Sequence, residues 1–365
     1  MQILLICDLP PSSGVGRYTS SIFLEMRKNS VHADLLWLYS KTITTLFSPL
    51  RRHALMPILH EILNAIWKYW HTHLASIKLN NYTTYHLTNP SISILSKRLR
   101  PSIITVHDLI SFLPQVRGSP TDTLLRLGMR DIKHANLIIC VSESTKNDLL
   151  RFINIDPRKL KVVYYGVDHD LFKPRDKLEA KRRLRLPLDK PIILNVGSEE
   201  PRKNVPTLLK AFKKLLSDIP NALLVRVGER TAGVERLVRA LELSDKVLYR
   251  RASPSEVAFY YNAADLLVHT SYYEGFGNPP LEAMSSGCPV IAGNRTSIPE
   301  VVGDAGILLG PFDVEGFAYW MREVLTNEDL RFKLSQKGLE RSMNFSWEKC
   351  ARETLEVYRE VLNEV

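Results

Sequence analysis

Short apolar runs alternate with longer amphipathic stretches along this chain. Largely apolar runs occur at residues 3–7, 103–106, 137–141, 161–165, 192–197, 222–227, 247–249, 266–268 and 289–291. They are too short for helices and show little polar alternation, so they read as strands buried on both faces, as in parallel sheets. Residues 17–28, 205–216, 255–264, 312–325 and 330–342, and a last stretch from Trp347, carry apolar side chains at helical spacing. A second strand is expected at 31–39, a helix at 124–134, and another starting at Ser142, a good N-cap residue. Strand and helix alternate throughout, which predicts an α/β architecture with parallel sheets. The Lys-, Arg- and Pro-rich segment 173–190 reads as a linker with a short polar helix. The 365 residues suit two domains. The expected division is 1–172, 173–345, and a final helix over 346–365.

The most informative stretch follows the run Leu266-Leu267-Val268. It is Glu274-Gly275-Phe276-Gly277-Asn278-Pro279-Pro280-Leu281-Glu282-Ala283-Met284. Two glycines permit a turn that a side chain would forbid, and Pro279 suits a first helical position, with Asn278 as the expected N-cap. Strand, glycine turn and helix start together form an anion-friendly terminus, because unpaired N–H groups and the helix dipole favour a phosphate. Carboxylates flank that terminus at Glu274 and Glu282. A carboxylate does not face a phosphate, but it accepts hydrogen bonds from vicinal sugar hydroxyls. Phosphate in the middle with a sugar on each side describes a nucleotide-sugar.

Charge adds a second feature. Lys and Arg outnumber Asp and Glu by 20 to 10 in residues 1–165 and match them, 29 to 29, in the remainder. A basic first half suits an anionic membrane surface, a phosphorylated acceptor or nucleic acid, or is simply a solvated positive surface. Residues 55–78 place Ile58, Leu59, Ile62, Leu63, Ile66, Trp67, Trp70 and Leu74 on one helical stripe with basic neighbours. Such a helix lies in a membrane interface or packs on the N-terminal sheet. The four cysteines are widely spaced without a Cys-x-x-Cys pair, which favours free buried thiols over a zinc site. The start lacks the features of a secretion signal and no apolar run is long enough to span a bilayer. The expected location is therefore the cytoplasm, peripheral on the inner membrane face if 55–78 meets lipid.

The paired glutamates, the downstream Ser297-Ile298-Pro299-Glu300-Val301 and Asp304-Ala305-Gly306 resemble the retaining glycosyltransferases of family 4, the group 1 enzymes of GT-B fold. Asn278-Pro279-Pro280-Leu281-Glu282-Ala283-Met284 is similar to a branch that often uses GDP-mannose. The resemblance implies two doubly wound Rossmann-like domains facing across a cleft. It implies transfer of a hexose, mannose from GDP-mannose being the favoured donor, to a hydroxyl of a glycan or lipid-linked acceptor. It assigns Glu282 to the nucleotide ribose and Glu274 to hydroxyls of the donor hexose. Arg202 and Lys203, after the strand at 192–197, take the place of the family's diphosphate clamp, helped by N–H groups near Gly277 and Asn278. His107, ending the strand at 103–106, is placed near the donor sugar. Gly14 and Gly16, in an expected loop over 8–16, approach the donor phosphate and the acceptor. Where the family usually has Asn-Gly-Val-Asp, this chain has Tyr165-Gly166-Val167-Asp168. Arg202 and Lys203 can carry the diphosphate's charge in place of a metal, so no metal or other cofactor is expected. Two alternatives stay open: a GT-B enzyme acting on nucleic acid, the less favoured partner, and a non-catalytic nucleotide-binding relic.

Overall fold

The apolar runs form parallel strands gathered into two six-stranded sheets. The computed structural model describes residues 1–38, 82–113 and 126–363. The chain divides into one unit made of residues 1–166 and 347–365 and a second made of residues 167–346. The amphipathic stripe within 55–78 lies outside the described residues.

In the first unit the elements are β1 (Gln2–Cys7), α1 (Gly14–Lys28), β2 (His32–Trp37), β3 (Thr84–Leu87), β4 (Ser102–Val106), β5 (Leu137–Cys140), α2 (Glu143–Phe152) and β6 (Leu160–Val162). The strand order is β2-β1-β3-β4-β5-β6, all parallel. The chain builds outward from β1 to β2, then returns to the other side of β1 with β3. Neighbouring connections leave in opposite directions there, so a crevice opens at the carboxyl ends of β1 and β3. Ile6, Leu87, Ile104, Val106 and Ile138 form the centre of this unit's core.

The second unit contains α3 (Lys177–Arg183), β7 (Ile192–Val196), α4 (Val205–Leu215), β8 (Leu223–Val227), α5 (Ala232–Ala240), β9 (Val247–Arg250), α6 (Pro254–Ala263), β10 (Leu266–His269), α7 (Asn278–Ser285), β11 (Val290–Gly293), α8 (Ile298–Val302), β12 (Ile307–Leu309), α9 (Val314–Thr326) and α10 (Glu328–Ser342). Its order is β12-β11-β10-β7-β8-β9, with the reversal between β7 and β10. Leu208 and Phe212 of α4, Phe317 and Met321 of α9, and Leu224, Val268 and Ile291 of the sheet share one core. Each such side chain contributes about 1.5–3 kcal/mol through burial. The last helix, α11 (Trp347–Asn363), belongs to the first unit and packs on α1.

Several boundaries differ from the sequence pattern. Helix α1 starts at Gly14 rather than at 17, because the Ser13 hydroxyl caps it by accepting the Gly16 N–H at 2.9 Å. Gly14 and Gly16 therefore lie in a first helical turn, not in a loop. The strand expected at 161–165 stops at Val162, so Tyr165 lies beyond it. The helix expected at 124–134 is described only from 126; it is helical at 126–128, followed by a short 3-10 turn at Ile132–His134. Helices α5 and α8 and strand β12 have no counterpart in the apolar pattern; each is short, and α5 rests on a Thr231 cap. All four cysteines are buried free thiols.

Candidate functional site

The reversal between β7 and β10 brings together two loops about seventy residues apart in sequence. The β7 loop runs through a 3-10 turn, Pro201–Lys203, into α4. Asn204, at its end, has φ +51°, a left-handed geometry that Asn adopts more readily than most residues. The Thr270 hydroxyl lies 3.0 Å from the carbonyl oxygens of both Lys203 and Asn204, and the Tyr272 N–H donates to the Arg202 carbonyl at 2.9 Å. The two loops are thus stitched together by backbone as well as side-chain bonds.

At their junction sits Glu274, buried to 8% exposure. Its Oε2 accepts from Arg202 Nη1 at 2.8 Å, and its Oε1 from Lys203 Nζ at 2.6 Å and His269 Nε2 at 3.0 Å. Arg202 Nε also donates to Glu200 at 2.7 Å. Burial opposes ionisation of Glu274, but Lys203, the His269 hydrogen bond and Arg202 outweigh it, and its pKa falls well below the usual carboxylate value. Burial lowers the pKa of His269, against the pull of Glu274. His269 is therefore neutral, with its proton on Nε2 where the carboxylate requires a donor.

The residues expected to grip a diphosphate, Arg202 and Lys203, are thus paired with the one expected to hold a hexose, Glu274. Glu274 takes one donor from each cation, and Arg202 also donates to Glu200 and to the Tyr273 carbonyl.

Three residues beyond Glu274 the backbone turns through Gly277, at φ +121°. This positive φ is what calls for glycine; a Cβ there would also meet the Ile298 Cδ1 methyl at 2.9 Å, the mobile end of a side chain. Gly277, not Asn278, is the cap; Asn278 opens α7 and Pro279 follows within its first turn. The Ser297 hydroxyl lies 3.0 and 2.6 Å from the carbonyls of Glu274 and Phe276, and Thr296 Oγ1 accepts the Glu274 N–H at 3.0 Å. These bonds give the downstream Ser-Ile-Pro-Glu-Val segment its local role: it fixes the glycine turn. Half-buried Glu282, one turn into α7, accepts from the hydroxyl of buried Tyr261 at 2.8 Å.

Behind the β7 loop, Arg226 of β8 is buried to 1% exposure. It donates to Asn195 and lies 3.5 Å from Glu199, whose side chain is as buried as its own. This internal ion pair anchors the loop that carries Arg202 and Lys203.

The other sequence-derived residues belong to the first unit. His107 follows β4 directly. Its Nε2 lies 2.6 Å from the Thr88 carbonyl and its Nδ1 bonds the Tyr165 hydroxyl. Burial lowers its pKa, although the Thr88 carbonyl, Asp108 and Asp8 favour the cation. Both ring nitrogens are engaged within this unit. A Cβ on Gly16 would lie 2.0 Å from the Pro10 carbonyl oxygen, so this glycine is required for packing; Gly14 faces open space. His269, Tyr261 and Arg226 carried no sequence motif. His269 alone had a usable signal, since it ends its strand as His107 follows its own.

Among the described residues no group of three or more His, Cys, Asp or Glu could hold a metal ion, and no helix is long and apolar enough to cross a membrane.

Two family models match successive parts of the chain, Glycosyltransferase Family 4 over residues 12–171 and Glycosyl transferases group 1 over residues 176–341. The chain is 29% identical over 319 residues to O-antigen chain mannosyltransferase B of Escherichia coli, covering 85% of this chain and 81% of that protein. It is 31% identical over 254 residues to a D-inositol 3-phosphate glycosyltransferase of a Nocardioides species, covering 64% of this chain and 56% of that one. Sucrose-phosphate synthase from Thermosynechococcus elongatus superposes with a TM-score of 0.78 at 21% identity over the whole of both chains, which places the two sheets in the GT-B fold. With both units matched and the paired glutamates flanking the glycine turn, the chain belongs to the group 1 glycosyltransferases of family 4.

Proposed function

We propose that this glycosyltransferase moves a hexose from a nucleoside diphosphate sugar to a hydroxyl of a glycan or lipid-linked glycan, with retention at the anomeric carbon. The observation that carries the reading is the junction of the β7 and β10 loops. It sets Arg202 and Lys203 beside the start of α7, with Glu274 before the turn and Glu282 after it.

In this reading Glu282, oriented by Tyr261, accepts from the ribose hydroxyls. The diphosphate lies against Arg202, Lys203 and the amide groups near Gly277 and Asn278, where cations and helix dipole act together. Negative charge builds on the diphosphate as the bond from the anomeric carbon to phosphate oxygen breaks, and donors already in place stabilise it. Glu274 keeps the two cations positioned and accepts from hexose hydroxyls. The acceptor oxygen bonds the anomeric carbon on the face the diphosphate leaves, and its proton passes to the departing phosphate oxygen. No protein base is required. The two cations carry the charge that a divalent metal would otherwise neutralise, so we propose metal-independent transfer.

Mannose from GDP-mannose is the donor we favour, supported by the Asn-Pro-Pro-Leu-Glu-Ala-Met sequence and by the name of the Escherichia coli relative. The acceptor class is supported by that same name. The excess positive charge of residues 1–165 suits a phosphorylated lipid carrier at a membrane surface.

Slow donor hydrolysis, with water in place of the acceptor, tests this without a known acceptor. GDP-mannose, UDP-glucose and ADP-glucose are incubated with the chain and a chelator, and the first-formed anomer is read by NMR. The reading expects one nucleoside diphosphate to be released with the donor's anomeric configuration kept in the sugar. Inversion, or release only with added metal, contradicts it.

A further inference from the structure

The second unit buries two opposite charges that the reaction described above does not touch. Arg226 interrupts an otherwise apolar strand, with Leu223, Leu224 and Val225 before it and Val227 after it. Its guanidinium meets Glu199 of the β7 loop, and both side chains are shut off from solvent.

A chain of polar contacts runs through the pair. Asn195 of β7 donates from Nδ2 to the Val268 carbonyl of β10 at 2.7 Å, and its Oδ1 accepts from Arg226 Nη1. Arg226 Nη2 lies 3.5 Å from both the Gly197 carbonyl and Glu199 Oε1. Glu199 Oε2 accepts the N–H of Thr231, the cap of α5, at 2.5 Å. The chain therefore joins β10, β7, β8 and the start of α5. It reaches both loops of the candidate site. Val268 directly precedes His269, which donates to Glu274, and Glu199 directly precedes Glu200, which accepts from Arg202 Nε at 2.7 Å.

Stability does not explain this arrangement. Taking two charges out of water is costly, and apolar side chains of similar volume would fill the space as favourably or more so. Burial works against the charge of Arg226, and Glu199 opposes that effect. What charged hydrogen bonds add over apolar contact is direction: they fix distance and angle, whereas hydrophobic contact is non-directional. That direction is imposed on Glu199, whose carboxylate is held from two sides just before the residues that carry the site's cations.

We propose that Glu199 and Arg226 are positioning residues for the diphosphate-binding cations: the pair fixes the path of the β7 loop, and with it the placement of Arg202 and Lys203, and contributes this geometry rather than fold stability. The proposal rests on the reading that Arg202 and Lys203 meet the diphosphate.

Glu199→Leu, Arg226→Met and the double variant test it, through thermal unfolding and calorimetric titration of GDP, UDP and ADP. Each single variant leaves one buried charge without its partner and should lower the unfolding midpoint. The double variant should recover the wild-type midpoint. It should nevertheless bind the nucleoside diphosphate that the wild type takes about tenfold more weakly, and hydrolyse the donor about 10–100-fold more slowly. A pair that only holds the fold would instead return affinity and turnover together with the midpoint, and that result would overturn the proposal. So would a double variant as unstable as the singles, since the pair would then be needed for the fold itself. A measurement on the wild type alone checks the geometry. With nitrogen-15 labelled arginine, the Arg226 Nη protons should give separate, slowly exchanging signals; a freely rotating, fast-exchanging guanidinium would contradict the fixed contacts. Failure of the donor-site reading is distinct: the wild type then binds none of the three nucleotides. Failure of the proposal alone shows as a wild type and a double variant that bind equally.

Discussion

Lys203 Nζ and Glu274 Oε1 lie 2.6 Å apart across the junction of the two loops that follow the neighbouring strands β7 and β10. The carboxylate is shared with Arg202 and His269, so its charge is what keeps two neighbouring cations together. Glu274→Gln keeps the shape and removes that charge. It should lower kcat by about 10², comparable to losing a preorganised electrostatic contact, and lower stability by about 1–3 kcal/mol. The pH dependence follows from the depressed pKa. Glu274 stabilises the fold above its ordinary value of 4.5, and this contribution is lost as pH falls from there toward its lower folded value. Urea denaturation of both chains between pH 7 and pH 3 should therefore show a shallower acid decline in the variant.

Tyr261 acts on Glu282 through a single 2.8 Å hydrogen bond. Tyr261→Phe should weaken nucleoside diphosphate binding by about tenfold, in line with one hydrogen bond to a charged group. The unfolding midpoint should change little, since the ring remains. Equal binding by both chains would remove Tyr261 from the site.

His86 offers a pH test in the other unit. It is buried between the Tyr358 hydroxyl at 2.6 Å and Thr105 at 2.7 Å, and burial lowers its pKa from 6.5 to about 3. The unfolded chain binds a proton there below pH 6.5 and the folded chain does not. Stability from this group is thus present above pH 6.5 and lost as pH falls toward 3, at about 1.4 kcal/mol per pH unit. His86→Gln should remove that slope, measured as the difference between the two chains' urea unfolding free energies over this range.

Gly14 and Gly16 differ in what they tolerate. Gly16→Ala drives a Cβ against the Pro10 carbonyl and should cost about 1–3 kcal/mol. Gly14→Ala, at an exposed helical position with nothing nearby, should leave stability within about 0.5 kcal/mol. Thermal unfolding of the two variants reads the difference. Transfer activity of the stable Gly14→Ala then tests whether this helix start meets the donor.

Much of the fold was legible because buried parallel strands are near-continuous apolar runs. The runs at 3–7, 103–106, 192–197 and 266–268 appear as β1, β4, β7 and β10, each with one boundary shifted by one residue. The run at 161–165 misled because Tyr164 and Tyr165 are apolar for a reason other than strand pairing; Tyr165 packs on Tyr18 and Trp347. The glycine turn and both glutamates were visible because one short segment carries them all. Glu274's pairing with Arg202, Lys203 and His269 was not, because it depends on which strands neighbour one another, and only the sheet order supplies that. Tyr261 and Arg226 were silent for a related reason: each acts on a residue from another element, and nothing in its own neighbourhood marks it.

Calorimetric titration of GDP, UDP and ADP, without metal, into the wild type and Glu282→Ala tests the central claim most directly. One of the three should bind the wild type, and binding should be lost in the variant while the unfolding midpoint is kept. Failure of all three to bind the wild type, or equal binding by both chains, would contradict the assignment of the β7–β10 junction and α7 as the donor site.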